Sequence, residues 1–232
     1  MAKVIGFGRH PDADVRLERA ALHPTCCCIT ANVMGETVTY KLGMPGEHMA
    51  INSLAVLATV KAVGADLALA VLALADAAPA KGRGVQQRLM ADKGEILLID
   101  ESYNANPASM AAALALLASA QIGKNGRRIA VLGDMLELGT FGPELHKDLN
   151  KALDEQGVDK LYAAGPLMTH LWQETPQTRR GAYAPNSVEL RDQLLGQIRA
   201  GDVVMIKGSL GSKMGLLVDA VRAKFSPIEK ES

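Results

Sequence analysis

The feature that most constrains this 232-residue chain is a change of rhythm after about residue 84, where short apolar runs begin to alternate with helical stripes. Residues 96–99 (Ile-Leu-Leu-Ile) precede Met110, Ala113, Leu114 and Leu117, which recur at helical spacing. Residues 129–132 (Ile-Ala-Val-Leu) precede Leu145, Leu149, Ala152 and Leu153, and residues 160–164 precede a short helix near 167–172. Asn186 and Glu189 have the spacing of a capping box that opens another helix. Residues 203–206 (Val-Val-Met-Ile) form a further run, after which Met214, Leu217, Val218, Val221 and Phe225 share one helix face. Such alternation implies right-handed βαβ units around a mainly parallel sheet, so the expected fold class is α/β.

The residues before this point read differently. Residues 3–8, 27–31 and 36–42 suggest strands of a small, mainly antiparallel sheet, and in the last of these Val38, Tyr40 and Leu42 alternate with Thr37, Thr39 and Lys41. A helix is expected over 49–63, apolar on several faces through Val56, Leu57, Val60 and Val63, and therefore buried or covered by a partner. Gly64 suits its end, and Asp66 can cap a second, alanine-rich helix running to about residue 77. Residues 79–84 (Pro-Ala-Lys-Gly-Arg-Gly) are short, flexible and free of apolar periodicity, which makes them the best boundary. The expected domains are 1–81 and 82–232.

Charge and composition exclude some function classes. Lys plus Arg and Asp plus Glu each number 25, so no global basic field points to nucleic acid or an anionic membrane. Aromatic residues, at 3%, are too few for a base-stacking surface. The longest apolar stretch, residues 67–75, is too short to span a bilayer, and the first residues lack the sections of a signal peptide. Cys26, Cys27 and Cys28 are consecutive, which fits neither a zinc motif nor a disulfide framework. They read as small buried strand residues, and a reducing cytoplasm is expected.

In a parallel sheet every loop that follows a strand opens on the same edge, where open α/β sheets bind ligands. Three such loops are polar. In residues 100–106, Asp100, Glu101, Ser102, Tyr103, Asn104 and Asn106 exceed what a turn before Pro107 requires, although an ordinary solvated βα loop is the alternative. Asn106 can cap the helix that Pro107 begins. Residues 207–212, which include Lys207 and Ser209, could cradle an anion with backbone N–H groups and an ammonium. Asp134 and Glu137 could meet cations or substrate amines, or simply cap a helix. No window fits a Walker A loop, no Gly-x-Gly-x-x-Gly follows a strand, and His10, His23, His146 and His170 lack ligand spacing. On these grounds the second section is a ligand-binding α/β domain whose reaction stays unnamed.

Residues 102–110 (Ser-Tyr-Asn-Ala-Asn-Pro-Ala-Ser-Met), residues 131–139 and Lys207-Gly208-Ser209 resemble, in order, motifs of the Mur ligase family. Gly46-Glu47-His48 with Asn52, and Gly82-Arg83, resemble two further motifs upstream. The likeness is greatest to the branch that adds D-alanyl-D-alanine to UDP-N-acetylmuramoyl-tripeptide in peptidoglycan biosynthesis. The resemblance implies a Rossmann-like C-terminal domain preceded by the last part of a central ATPase domain. It also implies an amide ligase that uses ATP and Mg2+ to form an acyl phosphate, which the incoming amine attacks. Position by position, Asn52 resembles the residue at the adenine and Arg83 the one at the ATP phosphates. Glu101 stands where the family usually has an Asp at the ribose, one methylene longer. Asn104 and Asn106 resemble positions presented to the dipeptide and nucleotide, and Lys207 and Ser209 those that hold the dipeptide carboxylate. Met49 departs from the Asn common after the motif's His. The family's P-loop and carbamylated lysine are not among these 232 residues, so the chain alone is expected to lack ligase activity. Full-length members are usually monomers, whereas exposed apolar surface on the helix near 49–63 implies self-association here. Folylpolyglutamate and cyanophycin-type ligases are the related alternative, against which residues 102–107 weigh. A non-catalytic nucleotide- or peptide-binding module is the alternative of another class.

Overall fold

The computed structural model describes residues 4–78 and 80–227, and the chain divides into two compact units, Met1–Pro79 and Ala80–Ser232. The first unit holds a four-stranded sheet in the order β1 (Phe7–Gly8), β2 (Val15–Leu22), β3 (Cys27–Val33), β4 (Glu36–Leu42). β1 is parallel to β2, and the other pairs are antiparallel. Two helices follow, α1 (Glu47–Ala62) and α2 (Leu67–Ala75). Tyr40 and Leu42 point inward as their alternation predicts, and Tyr40 Oη lies 2.6 Å from Ser53 Oγ of α1. Asp66 caps α2 by accepting from the Leu69 N–H.

Several expectations for this unit need correction. The strand expected over 3–8 is only Phe7–Gly8, with Lys3 outside the described residues. β2 carries no apolar run in the sequence, because Arg16, Glu18 and Arg19 interrupt it. Its two faces alternate, with Val15 and Leu17 buried. Of the three cysteines only Cys27 is buried, while Cys28 faces outward on the next pleat and is exposed. α1 leaves Val56 exposed, as is Val63 just after it, and α2 stops at Ala75 with Leu69 and Leu72 exposed.

The second unit is a seven-stranded sheet in the order β11-β5-β6-β10-β7-β8-β9. Its strands are β5 (Val85–Ala91), β6 (Gly94–Glu101), β7 (Arg128–Gly133), β8 (Lys160–Ala164), β9 (Arg180–Ala184), β10 (Val203–Lys207) and β11 (Ser226–Pro227). β6, β10, β7, β8 and β9 are mutually parallel, and β5 is antiparallel to β6. β5 and β9 escape sequence reading, because Gln86, Gln87 and Arg88, and Arg180 and Gly181, interrupt any apolar run.

Helices cover both faces. α3 (Pro107–Ser119), α4 (Gly142–Lys147), α5 (Leu149–Glu155) and α6 (Met168–Glu174) pack on one face, with Leu114, Leu153 and Leu171 against Ile99, Leu132 and Met205. α7 (Ser187–Leu195) and α8 (Gly215–Lys224) pack on the other, with Leu190, Leu194 and Val218 against Leu98, Val131 and Ile206. The strand order therefore reverses. β6, β7 and β8 lead to helices on the first face, whereas β9 and β10 lead to helices on the second. Neighbouring loops diverge between β6 and β10, between β10 and β7, and between β8 and β9, which opens crevices at the carboxyl ends of these strands. At the opposite edge Asp202, wholly buried, accepts from Arg127 Nη2 at 2.7 Å and closes the sheet's amino-terminal end. No helix among the described residues is long and apolar enough to cross a membrane.

Candidate functional site

Of the site residues singled out by the sequence, all but Asn52 lie in the second unit, at the ends of β6 and β10, on the loops after β6, β7 and β10, or just before β5. Asn52 lies exposed on α1 of the first unit. The register pairs Lys207 directly with Glu101. Pleat alternation sends both to the same face as Ile99 and Met205, while Asp100 faces the other side. Lys207 is 2% exposed; its Nζ lies 3.4 Å from Glu101 Oε2 and donates at 2.8 Å to the Asn104 carbonyl. Burial pushes the Glu101 carboxyl up and the Lys207 ammonium down, each opposed by the charge of the other.

Asp100 is interior too. Its Oδ1 accepts from the Ser102 hydroxyl at 2.7 Å, and Arg222 of α8 reaches Oδ2 at 3.4 Å. Ser209 is the hub of the loop after β10. Its N–H donates to the Asp134 carbonyl, while its Oγ accepts from the Leu136 N–H at 2.9 Å and lies 3.4 Å from the Ala105 carbonyl. Lys207 and Ser209 thus bind the three loops to one another. Gly208 makes this approach possible, since a Cβ there would fall 2.4 Å from Ser212 Oγ and 2.6 Å from Met214 Cγ.

The capping reading of Asn106 holds. Its side chain accepts from the Ser109 N–H, and Ser109 Oγ accepts from the Asn106 N–H. Asn104 Oδ1 accepts from the Ala105 N–H, and both asparagines are exposed. Asp134 proves to be a helix cap, as its carboxylate accepts from the Leu167 and Met168 N–H groups at the start of α6. Burial raises its carboxyl, opposed by those two donors. Gly165, at φ 124°, lies against that carboxylate, and a Cβ would come within 2.4 Å of it. Glu137 is exposed in a left-handed conformation, φ 64°.

His146 is a contributor that no spacing in the sequence marks. His146, fully buried, accepts from the Met135 N–H at Nε2 and lies 2.6 Å from the Gly142 carbonyl at Nδ1, which sets the neutral tautomer protonated on Nδ1. Arg83 stacks on the exposed Tyr103 ring, 4.4 Å from its centroid. Lys213 could have been suspected as a third polar residue within six of Lys207.

Two clefts open at the reversals of strand order. The first, about 470 Å³, lies between the loops after β6 and β10 and is lined by Gly82, Tyr103, Leu210, Lys213, Leu216 and Asp219 among others. The second, about 580 Å³, lies beneath the loops after β7, β8, β9 and β10 and includes Asp134, Leu136, Pro166, Asn186, Val188 and Lys213. Both are of the size that small-molecule sites occupy.

A doubly wound α/β unit with interlocked polar loops and two clefts at its strand-order reversals has the architecture of small-molecule-binding domains. Residues 87–210 match the family model described as "Mur ligase, glutamate ligase domain". The chain belongs to the Mur ligase family. It is 30% identical over 173 residues to the UDP-N-acetylmuramoyl-tripeptide–D-alanyl-D-alanine ligase of Rickettsia prowazekii, a match covering 75% of this chain and 37% of that protein. A crystal structure of MurF from Acinetobacter baumannii superposes with a TM-score of 0.77 at 28% identity, over 93% of this chain and 46% of that one. The Thermotoga maritima MurF ligase in complex with ADP gives 0.73 at 21% identity, over 92% and 47%, and shows the shared fold. The chain spans less than half the length of each of these relatives.

Proposed function

We propose that this chain supplies the dipeptide-binding, nucleotide-facing part of an ATP-dependent amide ligase that joins D-alanyl-D-alanine to UDP-N-acetylmuramoyl-tripeptide in the cytoplasm. The observation that carries the reading is the convergence of the three family-like loops, tied together by Lys207 and Ser209, beside two clefts. In the reaction, ATP transfers its terminal phosphoryl group to the tripeptide carboxylate, the dipeptide amine attacks the acyl phosphate, and phosphate leaves.

The first cleft has the chemistry of a nucleotide surface. Exposed Lys81 lines it, and Arg83 lies on the ring of Tyr103, so a guanidinium is held in place to pair phosphate oxygens. Asn52 is proposed at the adenine. Glu101 acts near the ribose through the position it gives Lys207 and the Asn104 carbonyl. Asn104 and Asn106 are proposed to face the dipeptide and the nucleotide, on a loop that Lys207 and Ser209 keep rigid.

Magnesium, which the ligase reading implies together with ATP, is not assigned to a cluster of the described residues. No group of three or more His, Cys, Asp or Glu is placed to hold a metal, and Asp100, Glu101 and Asp134 all have partners within the protein. No step is therefore assigned to a metal held by them.

Nuclear magnetic resonance titration of the labelled chain with D-alanyl-D-alanine tests the reading. Shifts confined to the loops at the carboxyl ends of the parallel strands are expected, and an unperturbed spectrum at millimolar dipeptide would overturn it. Phosphate release from ATP by the chain alone, with both other substrates present, is expected to be absent.

A further inference from the structure

The end of β10 and the loop after it carry two lysines, and they differ in one respect. The ammonium of Lys207 is enclosed by Glu101 and the Asn104 carbonyl, so it cannot reach a ligand without dismantling the loops. Lys213 is exposed, and among the described residues its ammonium has neither an ion-pair nor a hydrogen-bond partner. Its backbone is left-handed, φ 54° and ψ 33°, an uncommon conformation for a residue with a side chain. It lines both clefts, and it is the only cation among the residues lining the second.

That second cleft has a particular chemical character. Leu136, Pro166, Pro185 and Val188 give it apolar walls, and Glu189, whose Oε1 accepts from Asn186 Nδ2 at 2.7 Å, stands at the first turn of α7 on its rim. Asp134, its other carboxylate, is engaged by two N–H groups. A small zwitterion bearing two methyl groups would meet one free cation, one rim carboxylate and apolar walls. We propose that Lys213 binds the terminal carboxylate of the incoming dipeptide in this cleft, a role the Lys207 ammonium is too enclosed to fill. Lys207 and Ser209 then act as positioning residues. The proposal rests on the ligase reading above, and it fixes which cleft takes the dipeptide and which end faces Lys213.

The test titrates the labelled chain with D-alanyl-D-alanine and with D-alanyl-D-alaninamide, which lacks the carboxylate. The wild-type chain should bind the acid at least about tenfold more tightly than the amide, the expected effect of a charge-assisted hydrogen bond. Lys213→Met should bind the two alike, and Lys213→Arg should restore the preference. Lys213→Gly, which removes the backbone strain together with the charge, should also lose the preference, so that misfolding of one variant cannot imitate the result. An undiminished preference for the acid in Lys213→Met and Lys213→Gly would overturn the role of Lys213 and leave the ligase reading standing. A wild-type chain that responds to neither compound would overturn the ligase reading itself.

Discussion

At the scale of single residues, the same side chain types divide into those that hold the loops and those left for a ligand. Lys207 and Glu101 form a buried pair whose separate desolvation costs are large, and each is tolerable only because the other is present. Lys207→Met should therefore cost about 3–5 kcal/mol of stability in urea unfolding, since it leaves a buried carboxylate without its partner. Lys207→Met combined with Glu101→Gln should recover more than half of that loss. A double variant no more stable than the single one would show that the pair matters chiefly through the Asn104 carbonyl. The sequence marks Asp134 and Lys207 as candidate ligand residues, but their orientation is not legible in it. A carboxylate after a strand reads the same whether it faces solvent or caps α6.

At the scale of elements, the close packing of the loops after β7 and β10 depends on the absence of side chains. Gly208 and Gly133 sit beneath Met214, and the Cβ of an alanine at 208 would lie 3.1 Å from the Gly133 Cα as well as against Ser212 and Met214. Gly208→Ala should cost about 1–3 kcal/mol, the usual range for overpacking, as read from the thermal midpoint. The same variant should weaken dipeptide binding, because the Ser209 hydrogen bonds to the other two loops move with it. Helices were the more legible elements. Asn106 with Pro107, Asp66, and Asn186 with Glu189 mark helix starts through local chemistry that needs no tertiary contact. β2, β5 and β9 were not legible. Their stability comes from pairing with neighbours rather than from an apolar run of their own.

At the scale of the whole molecule, buried titratable groups set how stability responds to pH. Burial holds the His146 imidazole below its ordinary pKa, opposed by its hydrogen bond to Gly142. The unfolded chain takes up a proton near pH 6.5, roughly the free value, that the folded chain resists, so stability falls as the pH drops below about 6.5. Asp134 has the opposite sense. Its carboxyl is raised in the folded state, so its contribution is greatest at low pH and is lost as the pH rises through the folded pKa. The thermal midpoint should therefore decline between about pH 7.5 and pH 5.5, and decline less in His146→Gln. Equal declines in the two proteins would place the pH dependence elsewhere.

The sequence by itself determined the strand–helix alternation, the helix caps, the parallel character of the second sheet and the loops where polar residues gather. These follow from periodicity and from hydrogen bonds between residues three or four apart, which a linear text records. Only the tertiary structure decided what those polar residues do. Strand order brought β10 between β6 and β7, and pleat register turned Lys207 inward onto Glu101 and Asp100 toward Arg222. Burial and pairing depend on neighbours about a hundred residues away in the chain, and no local pattern encodes which of two lysines in one loop remains free.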